Sequence, residues 1–205
     1  MSRAPHILVG MSGGVDSSVT AYLLQQEHAI AGAFMKNWHD DNDPHCPAAQ
    51  DLHDAQQVAN QLGIELSAVQ FIEDYWHQVF SYCLDQYSQG FTPNPDVLCN
   101  QMIKFRCFLD YAQQQGMNTI ATGHYARIRY QNGQAQLLRA KDRHKDQSYF
   151  LHRLDQQQLQ CSLFPLGEYS KTEVRRIAQQ HAFSMLARKT AQAFALLVSA
   201  NLPNF

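Results

Sequence analysis

Residues 10–18 read Gly-Met-Ser-Gly-Gly-Val-Asp-Ser-Ser, directly after the apolar run His6-Ile7-Leu8-Val9 and directly before Val19-Thr20-Ala21-Tyr22-Leu23-Leu24. That order is strand, small-residue turn, helix. Gly13 and Gly14 stand where side chains would block a ligand, and glycine tolerates φ > 0 there. Ser12, Ser17 and Ser18 add hydroxyl donors. A helix that begins at the turn aims its unpaired N–H groups and positive dipole end at whatever sits there, so the segment has the makings of a phosphate cradle. It lacks the Gly-Lys-Ser/Thr ending of the Walker loop and the Gly-x-Gly-x-x-Gly of dinucleotide folds.

Around the cradle, apolar runs alternate with amphipathic stretches. Strands are expected at 6–10, 30–35, 64–71 and 117–122, and helices at 17–27, 48–62, 73–89 and 99–115. Apolar strands separated by helices imply an α/β fold, a doubly wound parallel sheet with flanking helices. Ligands of such sheets sit at the carboxyl ends of the strands, where the cradle lies. The pattern changes after residue 125. Alternation over 126–130, the turn signal Asn132-Gly133 and the return over 136–139 predict a small hairpin. A helical segment follows, with one helix expected at 147–160 and a second, opened by the capping box Ser170-Lys171-Thr172-Glu173, running through His181.

Composition narrows the function classes. The chain has 205 residues, 45% hydrophobic and 17% charged, the make-up of an ordinary soluble protein. No apolar run reaches the length of a membrane span and the N-terminus lacks a secretory pattern, so a cytoplasmic protein with no membrane contact is expected. Five cysteines, an odd number at irregular spacing, do not make a secreted disulfide framework. The net charge of −2 conceals an asymmetry: residues 1–126 balance at −9 and residues 127–205 at +7. Arg127, Arg129, Arg139, Lys141, Arg143 and Lys145 are opposed only by Asp142. Such a stretch is either a polyanion contact or a solvated hairpin face.

Other segments carry candidate chemistry. Phe91-Thr92-Pro93-Asn94-Pro95-Asp96-Val97-Leu98-Cys99-Asn100 is a loop stiffened by two prolines. Cys99 falls at the expected start of a helix containing Lys104 and Arg106, a setting that lowers a thiol pKa and frees the thiolate as a nucleophile. A buried, inert thiol is the alternative. Cys46, Cys83, Cys107 and Cys161 lack that setting and read as structural. His45, Cys46 and His53 fit no standard zinc spacing, so no metal-ligand set is assigned. Residues 38–47 read as a flexible acidic loop. Ala121-Thr122-Gly123-His124-Tyr125 ends a strand on the cradle's side of the sheet, where Gly123 permits close backbone approach and His124 is placed to face a substrate.

Ser-Gly-Gly-Val-Asp-Ser is similar to the signature of the PP-loop ATP pyrophosphatases, whose fold is adenine nucleotide alpha hydrolase-like. Taken with Phe34-Met35-Lys36-Asn37-Trp38, Thr92 to Asn100, Lys104-Phe105, Ala121 to Tyr125 and Lys145-Asp146-Gln147-Ser148-Tyr149-Phe150, it resembles the bacterial tRNA-specific 2-thiouridylases, in register from about residue 5 to about residue 183. The resemblance implies ATP-dependent adenylation of the C2 oxygen of a wobble uridine in tRNA, followed by sulfur transfer from a persulfide. By position it implies that Gly10, Met11, Ser12, Gly13, Gly14, Val15, Asp16 and Ser17 hold the phosphates of ATP, with Mg2+ neutralising the pyrophosphate. It places Met35 and Gly123 at the adenine and ribose, Asn94, Pro95 and Asp96 at the target base, and Cys99 as the nucleophile. His124, Lys145, Asp146 and Gln147 are its implied tRNA contacts. A sulfur-carrier protein would be the second partner.

The resemblance stops near residue 183. The family continues with Asp-Ser-Thr-Gly-Ile-Cys-Phe-Ile-Gly-Glu-Arg, whose cysteine carries the persulfide. Here residues 189–200 read Lys-Thr-Ala-Gln-Ala-Phe-Ala-Leu-Leu-Val-Ser-Ala. One allowed back-translation of that string, read one base out of phase, encodes the missing peptide in full. The expected organisation is therefore a PP-loop ATP-binding catalytic domain over 1–145, a helical tRNA-contacting segment over 146–183, and an out-of-frame tail over 184–205 that leaves thiolation incomplete. Two other readings stay open: another PP-loop adenylating enzyme, and a remnant that binds ATP or tRNA without turnover.

Overall fold

In a computed structural model that describes residues 6–37 and 48–183, five parallel strands form one sheet in the order β3-β2-β1-β4-β7. They are β1 (Ile7–Gly10), β2 (Ile30–Lys36), β3 (Leu66–Gln70), β4 (Thr119–Ala121) and β7 (Ser162–Leu163). Between them run α1 (Val15–Gln25), α2 (Ala48–Leu62), and two longer helical stretches. The expected α/β fold is thus observed. The expected loop over 38–47 and the tail over 184–205 lie outside the described residues.

β1 is the central strand and is buried throughout, as a strand covered on both faces must be. Its residues alternate between two cores. Leu8 joins Ile120, Ile103, Phe105 and Phe108 on one face, while Ile7 and Val9 join Val19, Val58 and Val174 on the other. The order 3-2-1-4 puts a crossover in opposite directions on either side of β1. The turn after β1 therefore opens at the point where the sheet order reverses, the usual place for a ligand in such sheets.

Three helix expectations are corrected. The stretch expected at 73–89 is α3 (Ile72–Tyr75), a π-helical segment Trp76–Phe80, and α4 (Ser81–Ser88). The stretch expected from Cys99 begins four residues earlier. Asn94 caps it, its side chain accepting hydrogen bonds from the N–H groups of Asp96 (3.1 Å) and Val97 (3.2 Å), and Pro95 fills the first helical position, where its missing N–H costs nothing. It continues as α5 (Pro95–Leu98), a π-helical segment Cys99–Cys107, and α6 (Phe108–Gln114). The helix expected at 147–160 is split into a 3-10 turn, Ser148–Leu151, and α7 (Gln156–Gln160), because Asp155 starts a new capping box with Gln158.

The hairpin forms as expected. β5 (Ala126–Gln131) and β6 (Gln134–Arg139) pair antiparallel across Asn132 (φ 52°) and Gly133 (φ 75°), the left-handed pair that a two-residue hairpin turn requires. Direct partners Arg127–Leu138 and Arg129–Gln136 share one face, while Ala126, Ile128, Ala135 and Leu137 turn to the core. The last helix, α8 (Lys171–Gln180), carries the expected capping box between Ser170 and Glu173. It packs on α1, and β7 from the same stretch completes the sheet beside β4.

Candidate nucleotide and substrate site

The cradle is built by backbone. Gly13 has φ +73°, and a Cβ there would lie 2.3 Å from the carbonyl oxygen of Asp51, so both conformation and space demand glycine. Gly14 differs: its Cβ would meet only Ser12 Oγ, at 3.4 Å, and otherwise open space. Gly14 is also the N-cap of α1 and supplies no side-chain cap, so the first-turn N–H groups of an eleven-residue helix face that space. The serines divide the work. Ser17 Oγ accepts from Ser12 N (3.1 Å) and donates to Gly14 O (3.0 Å), while buried Ser18 donates to the same carbonyl (2.9 Å). These two hydroxyls hold the turn in shape. Exposed Ser12 donates in turn to Ser17 Oγ (3.2 Å), whose own proton goes to Gly14. Met11 is buried, and it can offer only its backbone.

Asp16 has a role that its motif does not reveal. Its carboxylate accepts from Lys171 Nζ (2.6 and 2.8 Å) and from Tyr125 Oη (2.8 Å). Lys171 is 8% exposed although it is a lysine. Its ammonium lies 5.8 Å from the centroid of the Tyr125 ring. Burial and the neighbouring Asp16 carboxylate push the Tyr125 phenol far above its ordinary pKa, so it stays a donor. Neither Lys171 nor Tyr125 was legible as a site residue. Their partner is distant in sequence, and a lysine at the first position of a capped helix looks like solvent-facing charge.

Gly123 joins this cluster for a steric reason. A Cβ on it would come within 3.0 Å of the Asp16 carbonyl carbon and of Ser17 N, so glycine lets the end of β4 press against the first turn of α1. On the other side of β1, Met35 Cε would lie 3.0 Å from a Cβ on Gly10. Gly10, Met35, Gly123 and the cradle are thus brought together at one edge of the sheet.

Cys99 corrects an expectation. It sits one turn inside the helix, because the helix starts at Pro95, and so lies beyond the donors of the N-terminal turn. Its thiol packs against the core side that holds Phe105 and Phe108. Burial pushes its pKa up, Lys104 pulls it down, and Asp96 pushes it up again. The net direction is upward, opposite to the sequence expectation. Tyr75, beside it, is raised to about 12 by burial and then by the charges of Cys99, Cys83 and Asp96. The remaining described cysteines, Cys83, Cys107 and Cys161, are free thiols; Cys46 lies outside the described residues.

His124 is half-buried against Phe105 and Phe164, with ring centroids 5.7 and 6.2 Å away, and Thr122 Oγ1 lies 2.8 Å from its Nδ1. Burial, and then Lys104, hold its pKa well below the usual histidine range, so the ring is neutral near pH 7 and offers hydrogen bonds but no charge. Lys104 thus acts on both Cys99 and His124. In the 145–147 stretch only Lys145 projects a free charge. Asp146 accepts from Ala140 N (2.9 Å), Ser148 N and Ser148 Oγ, and Gln147 Oε1 accepts from Tyr125 N (2.9 Å). Those two side chains fasten the loop to the hairpin and to β4's end. Two hairpin arginines are engaged as well: Arg127 pairs with Glu168 at 3.2 Å and Arg129 with Gln136. Among the described residues no group of three or more His, Cys, Asp or Glu is placed to hold a metal ion, and no helix is long and apolar enough to cross a membrane.

Residues 5–198 match the family described as the tRNA methyl transferase HUP domain. The chain is 51% identical over 203 residues to the tRNA-specific 2-thiouridylase MnmA of Methylococcus capsulatus, covering 98% of this chain and 55% of that protein. It is 56% identical over 185 residues to the MnmA of Chromobacterium violaceum, covering 89% and 48%. The chain spans about half the length of these relatives. Among solved structures, the U34-tRNA thiolase NcsA of Methanococcus maripaludis superposes with a TM-score of 0.57 at 19% identity, over 94% of this chain and 61% of that one. The NMN synthetase of Francisella tularensis superposes with a TM-score of 0.53 at 16% identity, over 92% and 67%. These two likenesses establish the shared fold. The sequence matches go further: the chain belongs to the bacterial tRNA-specific 2-thiouridylase family, over the part of it that forms the HUP domain.

Proposed function

We propose that this chain carries the ATP-dependent half of a tRNA 2-thiouridylase: it binds ATP at the cradle and adenylates the C2 oxygen of a wobble uridine. The observation that carries this reading is the identity of 51% over nearly the whole chain to a relative of that name. The cradle supports it physically. The space above Gly14, bounded by uncapped N–H groups, fits a polyphosphate. Attack by the uridine oxygen on the α-phosphorus forms the O–P bond and releases pyrophosphate, whose charge the α1 dipole stabilises. Magnesium, when bound, neutralises the same charge. The cradle's one carboxylate, Asp16, is already paired with Lys171 and Tyr125, so the oxygens of the nucleotide would have to hold the ion.

Met35 and Gly123 would border the adenine and ribose. Pro95 and Asp96 would meet the base. Asn94 would do so through its amide nitrogen, its oxygen being spent on the helix cap. Cys99 would be the nucleophile of the sulfur-transfer half. His124 would contribute a neutral hydrogen bond to tRNA and Lys145 a charge, with Asp146 and Gln147 holding that contact in place. A persulfide-carrying protein would be the sulfur source.

The test is pyrophosphate release from ATP by the 205-residue chain, with and without a tRNA bearing an unmodified wobble uridine. Release that depends on the tRNA supports the reading. Release driven instead by amino acids or xanthosine monophosphate would assign the chain to another PP-loop adenylating activity, and ATP binding with no turnover would make it a binding remnant.

A further inference from the structure

A cavity of about 320 Å³ opens beside the Cys99 helix without including Cys99 among its lining residues. Three segments wall it: α4 with Tyr82, the loop into α5 with Phe91 and Asn94, and the 3-10 turn with Tyr149, His152 and Arg153. Tyr82, Phe91 and Tyr149 are 45%, 60% and 63% exposed. Large rings gathered at that exposure around one opening mark a binding surface. The only charge lining it is the cation of Arg153.

The walls are set in place before any ligand arrives. The Tyr149 ring lies 5.6 Å from His152 at 35°, and His152 Nδ1 sits 2.6 Å from the Tyr149 carbonyl oxygen. Buried Asn100, next to Cys99, donates from Nδ2 to the carbonyl oxygen of Phe150 at 3.1 Å. The aromatic turn is thereby fixed to the helix that carries Cys99. Asn94 belongs to both sides: it lines the cavity and caps the helix five residues before Cys99.

We propose that this cavity receives an unpaired nucleobase of the RNA loop, a neighbour of the base presented to Cys99, stacked on Tyr149 and Phe91 with its phosphate at Arg153. Single-stranded nucleic acid is gripped by just this combination of exposed rings and a cation, since every base has a π-face. The reacting base does not fit the role, because Cys99 is not among the residues that line the cavity and packs instead against the core. The inference rests on the thiouridylase reading and adds a second base subsite to it.

The test is fluorescence anisotropy of a labelled anticodon stem-loop RNA with the full chain, as intact RNA and as a series with one abasic site at each loop position in turn. Tyr149→Ala is expected to weaken binding of the intact RNA about tenfold, the scale of one lost base stack, while Tyr149→Phe stays within about twofold. One abasic RNA, not containing the change at the reactive uridine, should bind wild type and Tyr149→Ala equally. Phe91→Ala should lose its effect on that same RNA. Circular dichroism confirms that each variant is folded. Equal binding of intact RNA by wild type and Tyr149→Ala overturns this subsite alone, as does a loss that persists on every abasic RNA. Failure of the wild-type chain to bind the stem-loop overturns the thiouridylase reading and the subsite with it.

Discussion

Lys171 Nζ lies 2.6 Å from Oδ1 and 2.8 Å from Oδ2 of Asp16, a contact that ties the first residue of α8 to the first turn of α1 across 155 positions of sequence. The pair stabilises the junction and neutralises a carboxylate that would otherwise stand beside the phosphate space. Replacing Lys171 with Met therefore has two expected effects. Stability falls by about 2 kcal/mol, less than the ~3–5 kcal/mol of a fully buried pair, because the Asp16 side chain remains 30% exposed. ATP binding also weakens, since an uncompensated negative charge now faces the polyphosphate. Urea unfolding and calorimetric titration with ATP measure the two effects separately.

The two cradle glycines are expected to respond in opposite ways. Gly13→Ala should destabilise the chain by about 3 kcal/mol, from the left-handed backbone and the collision with Asp51. Gly14→Val should cost only about 1 kcal/mol, because its side chain enters open space at an N-cap. Its ATP affinity should nevertheless fall at least about tenfold, or 1.4 kcal/mol. Calorimetric titration of Gly14→Val with ATP and magnesium decides the matter: unchanged affinity would remove the cradle assignment.

Cys99 should alkylate slowly at neutral pH and faster as pH rises, because burial holds its pKa above the ordinary thiol value and only the thiolate reacts. The flanking charges set the direction of two variants. Lys104→Gln removes the cation that lowers the pKa, so the pH profile should shift upward. Asp96→Asn removes the anion that raises it, so the profile should shift downward. Iodoacetamide labelling followed by peptide mass spectrometry at Cys99 reads both shifts. A profile that moves the wrong way in either variant would refute the electrostatic account.

Lys145 should govern part of the salt dependence of RNA binding. Arg127 and Arg129 are engaged with Glu168 and Gln136, whereas Lys145 is exposed. If it meets a phosphate, Lys145→Ala lowers the slope of log K against log salt by about one. Arg129→Ala should change it less. Anisotropy measured from low to physiological salt distinguishes them, and an unchanged slope for Lys145→Ala would make the basic stretch a solvated face.

Much of this was legible in the chain itself, where the deciding interactions are local. The apolar runs marked the strands of the main sheet except the short β7, most plainly β1 and β2, because a strand buried on both faces must be apolar along its length. Asn132-Gly133 announced the hairpin through its left-handed backbone, and Ser170 with Glu173 announced α8 through a cap closed within four residues. Gly13 announced the turn because only glycine tolerates its left-handed backbone and its proximity to Asp51. Tertiary packing decided the rest. The helix start at Pro95 was itself local, written in the Asn94 cap, but the burial that then sets the pKa of Cys99 was not. Asp16 found Lys171 and Tyr125, and the rings of Tyr82, Phe91 and Tyr149 came to one opening, only because the sheet brought α8 to α1 and the turn after Gln147 to α5. Short-range hydrogen bonds and backbone preferences are written in neighbouring residues; the partner of a charge, the burial of a thiol and the walls of a cavity depend on segments that sequence spacing does not relate.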